Sequence, residues 1–121
     1  MTERLIDRVL ALGNEVRAAA VYMNGQLRAG ARAGLAGPSG EDWGRQEELI
    51  VNPTMLTLLR QRGDIDCGGL EYVVIRYGSF FQLVHPIPGG HLSVAIEPDA
   101  DVPATVERVR SVIPGDRKAR P

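Results

Sequence analysis

Three β-rich runs stand almost end to end in the second half of the chain, and the spacers between them restrict the possible folds more than any other feature. The runs are Leu70–Tyr77, Phe80–Ile87 and His91–Glu97, separated only by Gly78-Ser79 and Pro88-Gly89-Gly90. Parallel strands need a crossover of about a dozen residues, so spacers this short dictate an antiparallel meander. In the third run Leu92, Val94 and Ile96 alternate with His91, Ser93, Ala95 and Glu97, as in a strand with two different faces. The first two runs are apolar on both sides, which requires helices over both faces of the sheet. Phe80 and Phe81 are adjacent and must therefore point to opposite faces.

A hairpin precedes this meander. Val16–Met23 and Gln26–Ala33 flank Asn24-Gly25, two residues that accept the positive φ of a type I′ turn. The second arm alternates small or apolar residues with Arg28, Gly30 and Arg32, so it is expected at a sheet edge with one wet face.

Three helices complete the pattern. Over Thr2–Leu12, Leu5, Val9 and Leu12 recur at i, i+4 and i+7, with Ile6 and Leu10 widening the stripe and Gly13-Asn14 as a stop. Asn52-Pro53 opens a second helix, asparagine as cap and proline preorganised at the first position, and Gly63 closes it. The residue before proline avoids the α region, so a break is expected at Asn52; Glu47–Val51 reads equally as a helical turn or an extended entry. Met55, Leu56, Leu58 and Leu59 give this helix a broad apolar face. The third helix, Val102–Ile113, carries Val102, Val106, Val109 and Ile113 on one stripe, with Asp99 or Asp101 as cap and Pro114-Gly115 as stop. Between hairpin and second helix lies a long loop, Gly34–Gln46, rich in glycine, whose Trp43 is expected to fold back as an anchor.

The order α-β-β-α-β-β-β-α with these short turns makes an α+β domain, a five-stranded antiparallel sheet with helices on both faces. It is expected to span residues 1–113, leaving 114–121 as a polar, disordered tail. The 121 residues suit one domain, and a net charge of -1 argues against a dedicated nucleic-acid binder. One cysteine excludes an internal disulfide, and no apolar run reaches the roughly 18 residues of a membrane span. A cytoplasmic protein is expected.

Motifs for bond chemistry are absent. His85, His91 and Cys67 show no metal-ligand spacing, and Asp64-Ile65-Asp66-Cys67-Gly68 lacks the later ligands of a calcium loop. Gly34, Gly37, Gly40 and Gly44 do not form a P-loop, and no nucleophile elbow occurs. No catalytic residue, metal or cofactor is assigned, and the chain is read as a non-enzyme.

The chain resembles the roadblock/dynein light chain family, a longin- and profilin-like fold. The resemblance rests on the opening helix, the Asn24-Gly25 hairpin, Gly68-Gly69-Leu70-Glu71-Tyr72-Val73-Val74-Ile75-Arg76-Tyr77-Gly78, Phe81-Gln82-Leu83-Val84 and Gly89-Gly90-His91-Leu92-Ser93-Val94-Ala95-Ile96-Glu97. The Gly34–Gln46 loop and Asn52-Pro53 depart from the common pattern. The resemblance implies a non-catalytic adaptor or scaffold that forms homodimers through third strands and second helices and regulates a small Ras-like GTPase. Candidate dimer residues are Met55, Leu56, Leu59, Arg62, Tyr72, Val74 and Arg76, with Trp43 and Arg60 as candidates for partner binding. The alternative is a small-molecule sensing or binding module built on the same sheet.

Overall fold

The computed structural model describes residues 2–32 and 45–115, so the expectations for Trp43 and for the C-terminal tail lie outside the described residues. The elements are α1 (Thr2–Leu10), β1 (Val16–Met23), β2 (Gln26–Ala31), α2 (a π-helical turn Glu47–Val51 running into α-helix Asn52–Asp66), β3 (Val73–Arg76), β4 (Phe81–Ile87), β5 (Gly90–Ile96) and α3 (Val102–Ser111). This is the expected α-β-β-α-β-β-β-α order. The strands form one antiparallel sheet in the order β2-β1-β5-β4-β3, with β2 and β3 at its edges.

The two faces of the sheet are chemically unlike. Val16, Ala19 and Val21 of β1, Leu92, Val94 and Ile96 of β5, and Leu83 and Ile87 of β4 pack with Leu5, Ile6 and Val9 of α1 and Val106, Val109 and Ile113 of and beyond α3 in one apolar core. Helix α1 lies so close to β2 that a Cβ on Gly30 would meet Ile6 Cγ2 at 3.2 Å and Leu10 Cδ1 at 3.3 Å. A side chain at this edge-strand position would require those two side-chain tips to shift by a few tenths of an ångström. The other face, under α2, carries His91, Ser93 and Gln82 beside Val84 and Ala20, all buried.

Two turns work as expected. Asn24 (φ 53) and Gly25 (φ 85) both take the left-handed conformation of the hairpin turn. In the β4–β5 turn Gly89 sits at φ 84, and a Cβ on Gly90 would overlap the Tyr22 carbonyl oxygen.

Helix α2 departs from expectation at both ends. Asn52 is neither a cap nor a break: its φ of −66° and ψ of −45° are helical, and its N–H donates to the Glu47 carbonyl five residues back. Proline inside a helix lacks a donor and crowds the carbonyl four residues earlier. Here the wider π turn sits where Pro53 would do this, and the chain stays helical across Asn52. Gly63 does not end the helix either. It is buried within it, and the carbonyl accepts the N–H groups of Cys67 and Gly69, each at 3.1 Å. The stop falls at Gly68 and Gly69, both with positive φ. The strand expected over Leu70–Tyr77 is only Val73–Arg76.

Candidate functional site

The β3 edge and the outer surface of α2, linked through Tyr77 and Glu47, are both without a partner among the described residues. Strand β3 pairs with β4 on one side only, leaving its other backbone edge without a strand partner among the described residues. Along α2, Ile50 (57% exposed), Val51 (46%), Leu58 (61%) and Ile65 (76%) project outward. Val51, Leu58 and Ile65 are spaced by seven residues, which places them on one line down an α-helix. Glu48, Asn52, Leu56 and Gly63 occupy the opposite, buried side.

The structure separates the sequence-derived candidates. Leu59, Arg60 and Arg62 are exposed on α2, Arg62 paired with Asp66 one turn on, and Met55 is half-buried. Leu56 is 3% exposed inside its own chain, so it belongs to the packing of α2 on the sheet and not to the outward surface. Val74 and Arg76 are exposed on the edge strand, but their register with Leu83 and Phe81 puts them on the α1/α3 side. Tyr72 also lies on that side, stacked at 6.3 Å on His85 with the Arg110 guanidinium 5.0 Å above its ring. The β3 residues that share a side with α2 are Val73 and Ile75, registered with Val84 and Gln82.

The signals at Asn52-Pro53 and Gly63 leave Ile50, Val51 and Ile65 outside the helix expected from sequence, whereas the structure includes all three in α2. The seven-residue spacing of Val51, Leu58 and Ile65 was the available signal, and it crosses both supposed boundaries.

Where the start of α2 meets the β3–β4 turn, Gln46, Glu47, Val51, Tyr77, Gly78, Ser79 and Phe80 line an open cleft of about 420 Å³. The Tyr77 hydroxyl donates to Glu47 Oε2 at 2.7 Å, and this hydrogen bond, with partial burial, pushes the phenol up to about 12. Phe80 packs on Tyr77 with ring centroids 5.5 Å apart, while Arg17 lies 5.9 Å from its ring. Phe81 turns the other way, toward the core.

Among the described residues of this region no reactive group is activated. Cys67 is exposed, and its Sγ donates to the neighbouring Asp66 carboxylate, which raises the thiol above its ordinary value, the reverse of activation. Among the described residues no group of three His, Cys, Asp or Glu side chains is placed to hold a metal, and no helix is long and apolar enough to cross a membrane. His85 and His91, read from sequence as strand histidines, lie on opposite faces of the sheet.

The chain has the roadblock fold. It is similar to the roadblock/LC7 domain from Streptomyces avermitilis, with a TM-score of 0.66 at 17% identity over 90% of this chain and 88% of that one. It is likewise similar to MglC from Myxococcus xanthus, with a TM-score of 0.62 at 14% identity over 93% of each chain. No known family profile and no curated protein matches the sequence.

Proposed function

We propose that the chain is a dimeric, non-catalytic adaptor whose β3 edge and α2 surface are closed by a second copy, and whose dimer binds and regulates a small Ras-like GTPase. The observation that carries the dimer is the coincidence of a half-paired edge strand with the exposed apolar side chains Ile50, Val51, Leu58, Leu59 and Ile65 on α2. A bare strand edge invites pairing with another strand, and burying each large aliphatic side chain is worth about 1.5–3 kcal/mol. Val73 and Ile75 would continue the apolar surface of α2 across the seam, and a standard interface of roughly 1,200–2,000 Å² is expected. The roadblock fold supports binding over catalysis. The GTPase comes from the sequence resemblance.

Sedimentation equilibrium at micromolar concentration tests the first half; a monomer at about 100 μM, where even weak interfaces are populated, would sink it. Affinity purification from native lysate tests the second half, with a Ras-like GTPase recovered in stoichiometric amount as the expected result.

A further inference from the structure

The buried side of α2 carries a polar cluster beneath the proposed docking surface. Glu48 is 7% exposed and His91 1%, and His91 Nε2 lies 2.7 Å from Glu48 Oε1. The same carboxylate oxygen accepts Asn52 Nδ2 at 3.0 Å, and Asn52 is itself fully buried. Tyr22 of β1 closes over the imidazole, with ring centroids 5.8 Å apart. Next along the same face Gln82 Nε2 bonds Ser93 Oγ, so the sheet under α2 is a polar surface with few ways to hold a helix by shape alone.

Geometry links this cluster to the π turn. Eight residues separate Glu48 from Leu56, and in an uninterrupted α-helix they would stand about 80° apart around the axis, at about 100° per residue. A π turn winds less per residue. The turn at Glu47–Val51 therefore swings Glu48 back over the sheet in line with Asn52 and Leu56. Without it, Glu48 would leave the face where His91 waits.

We propose that the Glu48–His91 bond is a positioning lock for α2: it holds the π turn and so sets the roll of the helix, deciding from beneath which side chains the upper surface presents. Ile50 and Val51 lie inside the π turn, two and three residues past Glu48. If the turn relaxed to α geometry, Ile50 would stand about 80° from Leu58 around the axis, at about 100° per residue, and would leave the outward surface, while Val51 would keep its seven-residue alignment with Leu58 and Ile65. Glu48 and His91 are positioning residues, since neither reaches the surface.

The readout at the docking surface rests on the dimer proposed above, so the test has two independent arms. The variant E48M/N52L/H91L, in which N52L keeps the buried Asn52 amide from being left unpaired, replaces the cluster by apolar groups of similar volume, a change that orphans no buried donor. Amide hydrogen exchange across residues 47–52 should accelerate at least about tenfold in this variant while exchange in β4 and β5 stays unchanged, as expected for a local opening. Its dimer dissociation constant should rise by about tenfold or more. In E48Q the amide still bonds the imidazole, and both readouts should stay within about threefold of wild type. Unchanged exchange at residues 47–52 in E48M/N52L/H91L overturns the lock, whatever the oligomeric state. A wild-type monomer overturns the dimer alone, because the exchange arm still reports on the turn. Faster exchange with unchanged dimer affinity overturns the link between roll and docking.

Discussion

The hydroxyl of Tyr77, just past the end of the edge strand, donates to the carboxylate of Glu47 at the start of α2 over 2.7 Å. This single bond spans the cleft between the two elements that form the proposed seam. Its neighbours are apolar on one side, Val51 and Phe80, and open on the other.

That bond makes the phenol a reporter. Its folded value is pushed up to about 12 by the Glu47 hydrogen bond first and by burial second. A raised phenol favours the neutral form in the fold, so the contribution is complete below the unfolded value of about 10 and is lost as pH rises through about 12. Absorbance titration at the tyrosinate band should show a late step for Tyr77 that completes only as pH rises through about 12. Y77F should remove that late step and, because the pair is partly solvated, cost less than about 1 kcal/mol in urea denaturation.

Leu58 stands midway along the outward line of α2 and is 61% exposed. A charge there costs the isolated chain little, since surface substitutions away from special features stay within about 0.5 kcal/mol. L58E should therefore leave the midpoint of a dilute monomeric sample unchanged while converting the dimer to monomer in sedimentation. An equally stable dimer in L58E would move the seam elsewhere. I75K tests the strand half of the seam in the same way, from the side that Ile75 shares with α2.

Helix α3 begins at an N-cap in which Asp101 Oδ1 accepts the Ala104 N–H at 3.1 Å. Its core-facing residues Val106 and Val109 are poor helix formers, so the cap carries more of the burden than in an alanine-rich helix. D101A should lower stability by about 1 kcal/mol, and D101N, which can still accept, by less than half of that.

The sheet and both outer helices were legible in the sequence because each rests on local chemistry. Asn24-Gly25 fixes one hairpin, Pro88-Gly89-Gly90 another, and Leu5, Ile6 and Val9 mark the buried stripe of α1. The boundaries of α2 were not legible, because tertiary contacts override the local signs. Pro53 marks a helix start in isolation, yet a π turn anchored by Glu48 on His91, 43 residues away, carries the helix through it. The sides of the site suffered from the shortness of β3. With only four paired residues, the alternation that sends Val73 and Ile75 to one face and Val74 and Arg76 to the other becomes definite only through the register with β4.

Gly63 shows the same override from the opposite direction. Glycine inside a helix costs about 1 kcal/mol relative to alanine, so propensity alone says G63A should stabilise the chain. The glycine is buried, however, and a Cβ there would meet Leu70 N at 3.1 Å and the Gly69 carbonyl carbon at 3.2 Å. Both neighbours are backbone, in a segment already committed by the positive φ of Gly68 and Gly69 and by the Gly69 N–H bond to Gly63 O. They cannot swing aside as a side-chain tip could. Overpacking of this kind costs about 1–3 kcal/mol, enough to cancel the propensity gain and exceed it. G63A should accordingly fold with stability lowered by about 1 kcal/mol in urea denaturation, the sign opposite to that of a solvent-exposed helical glycine. A stabilised G63A would show that the crossing of α2 over residues 69–70 yields more easily than this packing implies.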